Sequence, residues 1–265
     1  MTILCYHAIE DGWTSPLAVS PAQFESHCAW LARHRTVVPL REALDQMDTR
    51  GRLRTGMVAL TFDDGFLSVL DAALPILNRY RLPATFFVVA ETLTPGGRAV
   101  DWVDTPPPYP MRVLSPADVL QLRDEGMEIG SHSYSHLDLT ILSTQECVSD
   151  LIHSREVLED LLKTRVPYLA YPRGRHNSGV REAAAAAGYS HSLALPEVRE
   201  AVEAHAVPRV GIHRGNGLVA LRVKTEPRYL AVRTDPTFLR FRDAARTMRG
   251  AAARLAGTGS NRRRH

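Results

Sequence analysis

The chain has 265 residues, of which 45% are hydrophobic and 23% charged, enough to bury the core of one barrel-sized α/β domain. Its net charge of +3 is unevenly distributed along the chain. Residues 1–208 hold 18 Lys and Arg against 26 Asp and Glu, whereas residues 209–265 hold 14 Lys and Arg against 3 Asp and Glu. Three cysteines without CxxC spacing argue against a disulfide framework or zinc ribbon, and no window approaches the roughly 18 apolar residues of a membrane span. With no export signal to read, we expect a cytoplasmic protein.

The first predicted strand covers residues 1–7 and ends on His7. A histidine at a strand end is either a candidate for a functional site or a hydrogen-bonded surface residue. After Ser20, a proline at N1 and a glutamine at N3 predict a helix over residues 22–34. Two shorter elements follow, a strand over residues 36–40 and an amphipathic helix over residues 41–47.

The apolar run of residues 58–62 stops abruptly at Asp63, Asp64 and Gly65. Such a run predicts a buried parallel strand, and α/β folds bind ligands at the carboxyl ends of these strands. Two adjacent carboxylates near a core repel each other, so keeping both ionised generally requires a cation or strong hydrogen bonds. A divalent metal site fits this pattern, and a helix N-cap and turn, of which Asp-Asp-Gly is also typical, fits it equally well.

Apolar residues then recur at helical spacing over residues 69–81, with Pro75 as an irregularity, before a strand at residues 84–89. Strand, helix and strand at this spacing predict a parallel crossover unit. The loop of residues 94–110 is rich in Gly and Pro, and long loops of this kind tend to be functional or mobile. Its Trp102 either stacks on a sugar ring or fills the core.

Two histidines, His132 and His136, follow a short strand that begins at residue 127, after a helix capped by Ser115. Helical spacing of four residues would place both imidazoles on one face, suited to one metal ion. Together with Asp64 they make a set of two histidines and one carboxylate with open coordination positions. Such a set indicates a catalytic metal rather than a structural one.

Strands and helices continue to alternate after these histidines. The predicted elements are a helix at residues 144–162, a strand at 166–170, a helix at 180–187, a strand at 190–195 and a last strand at 207–213. This alternation, without internal repeats, predicts a closed α/β barrel.

Three motifs, at residues 61–65, 132–136 and 171–174, resemble those of the polysaccharide deacetylases that share the NodB-type domain, also grouped as carbohydrate esterase family 4. Residues 83–87 and 128–132 also match strand sequences of that family. The resemblance covers about residues 57–195 and, more loosely, residues 4–7. It implies a distorted (β/α) barrel of about seven βα units and a metal-dependent hydrolase that removes acetyl groups from N-acetylated sugars.

The resemblance also implies roles for individual residues. Asp64, His132 and His136 would hold one divalent metal, Zn²⁺ in the first place, with Co²⁺, Mn²⁺ or Ni²⁺ as alternatives. Asp63 would be the general base that takes a proton from water held by the metal. The backbone N–H of Arg173 would share the developing oxyanion with the ion.

The chain departs from the family pattern in three places. Ala170 stands where many members have an arginine, although other members carry alanine there with Tyr-Pro, as here. No match to the family's Asp/Trp motif follows the third motif, and Arg214 follows His213 where an aspartate is usual. We expect His213 to be the general acid, with His7 as the substitute. Substrate contacts are expected from the following residues: His7, Trp102 and Tyr171.

Two other functions use similar residues. A non-haem iron oxygenase takes the same ligand types, but usually needs an HxD pair and an all-β scaffold. A non-catalytic glycan-binding relative would gain little from the second carboxylate, Asp63. We expect an N-acetylated sugar or glycan as the partner and no nucleic acid, with a cytoplasmic precursor favoured over a finished extracellular polymer.

The basic carboxyl-terminal segment, residues 236–265, is expected to follow a barrel domain of residues 1–235. An apolar stripe from Phe238 to Leu255 predicts a basic amphipathic helix over residues 236–255. Such a helix either contacts an anionic membrane surface or packs on the acidic barrel.

Overall fold

The computed structural model describes residues 1–50, 55–238 and 240, which form a parallel barrel surrounded by helices. The strands are β1 (Thr2–Tyr6), β2 (Ala8–Ile9), β3 (Ala18–Val19), β4 (Thr36–Val37), β5 (Met57–Phe62), β6 (Thr85–Val88), β7 (Glu128–Ser131), β8 (Tyr168–Ala170), β9 (His191–Ala194), β10 (Val207–Pro208) and β11 (Val210–Gly211). The helices are α1 (Pro21–His34), α2 (Leu40–Arg50), α3 (Leu74–Tyr80), α4 (Pro116–Asp124), α5 (Thr144–Leu162), α6 (Ser178–Ala186), α7 (Leu218–Lys224) and α8 (Tyr229–Arg233).

Parallel pairing joins the strands in the order β10-β9-β8-β7-β6-β5-β1-β11. β10 and β11 are two halves of one stretch that pairs with β9 through Val207 and Pro208 and with β1 through Val210 and Gly211. This stretch therefore closes the barrel, which has seven strand positions within the described residues. The expected distorted barrel of about seven βα units is confirmed.

The barrel interior is apolar at the end where the strands begin. One cluster joins side chains from five barrel strands: Ile3, Ala59, Phe87, Leu193 and Val207. Leu40 and Leu44 of α2 belong to the same cluster, so α2 covers this end of the barrel. Any site must therefore open at the carboxyl ends of the strands, where the polar residues lie.

The helix starts agree with the capping signals in the sequence. The Ser20 side chain accepts a hydrogen bond from the N–H of Gln23, and Ser115 forms a capping box with Asp118. The helix predicted over residues 144–162 is α5, with the same bounds.

Two elements differ from expectation. A π-helical turn, Val69–Ala73, precedes α3, because Pro75 has no N–H to continue a regular helix through this point. The last strand, expected as one run over residues 207–213, is interrupted at Arg209, where the pairing changes from β9 to β1.

The carboxyl-terminal helix expected over residues 236–255 lies almost entirely outside the described residues. The Asp235 carboxylate accepts hydrogen bonds from the N–H groups of Thr237 and Phe238, as an N-cap does. The division into a barrel of residues 1–235 and a tail stays a prediction. In the described ranges, no helix is both long and apolar enough to cross a membrane.

Candidate active site

A cluster of two carboxylates and two imidazoles lies at the carboxyl ends of β5 and β7. The Nε2 atoms of His132 and His136 lie 3.3 and 3.1 Å from Oδ1 of Asp64. The ligand atoms of these three residues all lie within 4.8 Å of one another, and all three side chains are buried. Asp63 is adjacent, with its Oδ2 4.0 Å from Nε2 of His132. The structure therefore brings together the three residues expected to hold a metal.

The spacing of the two histidines suggested a helix, but they lie on a loop. Ser133 and His136 both have positive φ angles, 64° and 54°, which a regular right-handed α-helix does not contain. The Asp150 carboxylate of α5 accepts hydrogen bonds from the N–H groups of Tyr134 and Ser135 and so holds the loop in place. The geometric reason for pairing the histidines was wrong, because the loop and not helical periodicity brings them together.

Hydrogen bonding and stacking fix the orientation of both imidazoles. Nδ1 of His132 donates to the carbonyl oxygen of Ala170 over 2.8 Å, which directs Nε2 toward Asp64. The ring of His136 stacks on Trp102, with centroids 4.8 Å apart. The Nε2 atoms of both rings are therefore directed at Asp64 before any ligand arrives.

Asp63 is held from the other side of the barrel by Arg209. Two hydrogen bonds of 2.6 and 2.7 Å join the guanidinium to both oxygens of the carboxylate. Arg209 is 1% exposed and also donates to Oγ1 of Thr61, over 3.2 Å. The Cys5 thiol donates to Oδ2 of Asp63 over 3.3 Å. Both oxygens of Asp63 thus have partners, whereas Asp64 faces the histidines.

Electrostatics keep both carboxylates ionised. Burial would raise the pKa of Asp63, but the charges of Arg209 and then His132 outweigh burial and lower that pKa to about 2. Burial also opposes ionisation of Asp64, yet hydrogen bonds to His132 and His136 hold its pKa well below the usual range. Two ionised aspartates in a buried site favour the binding of a cation.

A cavity of about 140 Å³ opens onto the cluster. Arg173 and Gly174 form one wall, on the short turn after β8. Arg173 has a φ of 57°, and no acceptor for its backbone N–H lies in the described part of the chain. A side chain at position 174 would overlap Leu195, so glycine is required for the turn to pack there. The turn therefore leaves one N–H beside the cluster without an acceptor among the described residues.

The remaining residues expected at the site are distributed unevenly. His7 and Trp102 line the cavity. Tyr171 does not, because it is fully buried and its hydroxyl donates to the carbonyl oxygen of His205. His213 lines a neighbouring cavity instead. Burial, followed by the charge of Lys224, lowers the pKa of His213 to about 4.

A parallel barrel with this cluster at the carboxyl ends of its strands is the architecture that the resemblance of the three motifs implied. The sequence model of the family described as "Polysaccharide deacetylase" matches residues 50–192, more than half of the chain. The chain belongs to the polysaccharide deacetylase family.

Individual relatives match parts of the chain. YxkH of Bacillus subtilis is 27% identical over 191 residues, which are 71% of this chain and 62% of YxkH. The peptidoglycan-N-acetylglucosamine deacetylase PgdA of Listeria monocytogenes is 30% identical over 126 residues, 47% of this chain and 23% of PgdA. The chain thus spans less than two thirds of the length of these relatives.

Solved structures share the fold. The Streptococcus pyogenes deacetylase PplD, solved in complex with acetate, has a TM-score of 0.72 at 24% identity, covering 86% of this chain and 98% of that chain. IcaB of Ammonifex degensii has a TM-score of 0.70 at 23% identity, over 88% and 96%. These similarities establish the barrel fold.

Proposed function

We propose that this chain is a metal-dependent carbohydrate N-deacetylase, which hydrolyses the N-acetyl amide of an amino sugar or glycan to acetate and a free amine. The observation that carries the proposal is the meeting of Asp64, His132 and His136 beside Asp63 in one buried cavity. Membership of the polysaccharide deacetylase family supports the same reaction.

The residues fit one divalent metal ion. Asp64, His132 and His136 offer one oxygen and two nitrogens, a donor set that suits Zn²⁺ and also Co²⁺, Mn²⁺ or Ni²⁺. When bound, such an ion lowers the pKa of water and polarises a carbonyl group. A three-residue ligand set leaves room for water and substrate, which is typical of a catalytic metal.

A second group of possible ligands, Cys5, His7 and Asp63, is less suited to a metal. The guanidinium of Arg209 contacts both oxygens of Asp63, and its positive charge repels a second cation. Burial also raises the pKa of the Cys5 thiol, which disfavours the thiolate that a metal requires. We therefore assign the metal to Asp64 and the two histidines.

Asp63 is the proposed general base. It is ionised, it lies beside the metal ligands, and Arg209 fixes its carboxylate in one orientation. It takes the proton of the attacking water as the new C–O bond forms at the acetyl carbon. Because Arg209 donates to both oxygens, Asp63 is a poor fourth ligand. Oδ1 keeps a second lone pair, which accepts the proton of the water.

The backbone N–H of Arg173 is the proposed donor to the carbonyl oxygen of the acetyl group, on which negative charge develops. The amine that leaves must gain a proton when the C–N bond breaks. His213 was the expected donor, but His7 lines the cavity, and a nitrogen of its ring lies within 4.8 Å of a carboxylate oxygen of Asp63. We therefore favour His7 for this step and keep His213 as the second candidate.

Asp63→Asn tests the proposal. The variant should retain its metal, because Asp63 is not a ligand, while kcat for acetate release from a chitooligosaccharide falls by about 10²- to 10⁴-fold. The matched control is Asp71→Asn, which removes an exposed carboxylate from the π-helical turn and should leave kcat unchanged.

Metal content and acetate release are measured on the same preparations. If Asp63→Asn loses metal in parallel with activity, the assignment of base and ligand is wrong. If the wild type releases no acetate from any N-acetylated sugar, the proposed reaction is wrong.

A further inference from the structure

A second cavity of about 240 Å³, the cationic cavity, lies beside the active site, between the barrel and helices α7 and α8. Its charged lining includes Arg173, Lys224, Arg233 and the exposed Glu197. Arg173 and Leu195 also line the active-site cavity, so the two cavities share a wall. Whatever occupies the cationic cavity therefore lies next to a sugar bound for deacetylation.

Lys224 and Arg233 have only neutral partners among the described residues, whereas Arg173 contacts Asp104 and Arg209, which also lines the cavity, contacts Asp63. Nζ of Lys224 donates to the carbonyl oxygen of Gly211 over 2.6 Å and to Oδ1 of Asn216 over 2.7 Å. The guanidinium of Arg233 donates to the carbonyl oxygen of Pro196 over 3.2 Å. In the described ranges, no carboxylate oxygen lies within 4.0 Å of either cation. Hydrogen bonds hold the cations in place while their charges remain uncompensated.

The other groups that line the cavity with Lys224 are unequal in charge. Arg233 adds to the positive charge, His213 and Tyr229 are uncharged, and the exposed Glu197 is the one carboxylate among them. Burial, and then the charge of Arg233, lowers the pKa of Lys224 to about 8, so this ammonium holds its proton less firmly than an exposed lysine does. Nδ1 of His213 is buried and has no partner in the described part of the chain. An anion bound here would offset the repulsion between the cations and accept their remaining hydrogen bonds.

We propose that the cationic cavity binds an oxyanion substituent, a carboxylate or a phosphate, carried by the N-acetylated sugar substrate. The inference rests on the proposed deacetylase function and deepens it. A neutral glycan would leave Lys224 and Arg233 without a counter-charge. An acetylated sugar with a carboxylate or phosphate group would satisfy them and place its acetyl group in the adjacent site.

Binding is tested first, without reference to activity. Inorganic phosphate and lactate are titrated by calorimetry into metal-loaded wild type, Lys224→Met, Arg233→Gln and the control Arg228→Gln, which removes an exposed arginine at the start of α8. Loss of one charged hydrogen-bond donor should weaken binding of at least one probe about tenfold or more in the first two variants. The control should bind as the wild type does.

The titration separates the cationic cavity from the metal site. If phosphate binds only to the metal, Arg233→Gln will bind it as tightly as the wild type does, and that result would overturn the proposal. The proposal would also be overturned if the wild type showed no saturable binding of either probe. Lys224→Met also removes the hydrogen bonds to Gly211 and Asn216. If Lys224→Met fails to fold for that reason, the titration of Arg233→Gln tests the proposal.

Kinetics then identify the substituent. We compare kcat/KM for acetate release from three substrates: neutral N-acetylglucosamine oligomers, the same backbone with lactyl carboxylates, and N-acetylglucosamine phosphate. Wild type should favour one anionic substrate about tenfold or more, and Arg233→Gln should lose that preference. Equal values for all three would overturn the proposal while leaving the deacetylase function intact. If no substrate releases acetate, the proposed function fails, and the titration still decides whether the cavity binds an oxyanion.

Discussion

The buried pair of Arg209 and Asp63 should stabilise the barrel and keep the proposed base ionised. Both side chains are at most 2% exposed, and two short hydrogen bonds join them. Arg209→Met keeps a stem of similar shape but leaves the Asp63 charge without its cation. Removing one partner of a buried ion pair costs about 3–5 kcal/mol. We expect the free energy of unfolding to fall by that amount, which lowers the melting temperature by about 6–20 °C.

The pKa of Asp63 supplies a second readout. Its lowering from 3.8 to about 2 means that the ionised carboxylate stabilises the fold above pH 3.8, and this contribution is lost as the pH falls through 2. The contribution is about 2 kcal/mol. In Arg209→Met the guanidinium no longer opposes burial, so the pKa of Asp63 rises. The acid limb of the kcat/KM profile should therefore move to higher pH.

Urea unfolding and acetate release as a function of pH measure these two effects. The double variant Arg209→Met, Asp63→Asn removes the uncompensated charge and should recover much of the stability lost by the single variant. If the double variant is no more stable than Arg209→Met, the cost is one of packing rather than charge. The reasoning would be refuted if Arg209→Met unfolded at the same urea concentration as the wild type and the acid limb of its kcat/KM profile did not move.

Three further predictions concern the metal, the turn and the cationic cavity. His132→Ala should lose most bound zinc, measured by elemental analysis of the dialysed protein, because it removes one of the three proposed ligands. Gly174→Ala should lower kcat, since a side chain there overlaps Leu195 and displaces the N–H of Arg173. Sulfate affinity should fall as the pH rises through and above 8, because Lys224, with its pKa lowered to about 8, loses its charge; titrations on either side of pH 8 measure this.

Each of these three has its own control. His153→Gln, at an exposed histidine of α5, should keep its zinc, and a full equivalent in His132→Ala would remove that residue from the ligand set. Gly56→Ala also replaces a glycine of positive φ but meets no neighbour, so an equal loss of kcat there would point to general strain. Sulfate binding that is unchanged across pH 8 would exclude Lys224 as a contact.

The sequence predicts much of this fold because local chemistry decides many element boundaries. Serine caps begin α1 and α4, and apolar runs between them mark the barrel strands. The π-helical turn before α3 is not predictable in detail, since Pro75 signals an irregularity without specifying its form. The interruption of the last strand depends on which strands it joins, and that depends on closure of the whole barrel.

At the site, the sequence predicts the cluster but not the group that holds the base. Arg209 lies 146 residues after Asp63, and only barrel closure brings them together. Two signals point to it in retrospect. Alternation within residues 207–211 places Arg209 on the same face as the buried Val207. Ala170 also stands where many members of the family have an arginine. Because that arginine is missing here, the buried Asp63 needs a cation from another strand.

The central claim is that this chain hydrolyses N-acetyl groups with one metal ion held by Asp64, His132 and His136. The most direct measurement counts acetate and free amine released from an N-acetylated oligosaccharide by the protein before chelation, after chelation, and after addition of zinc. The claim predicts one amine for each acetate, loss of both on chelation, and recovery with one equivalent of zinc. Full acetate release by the chelated protein would contradict it.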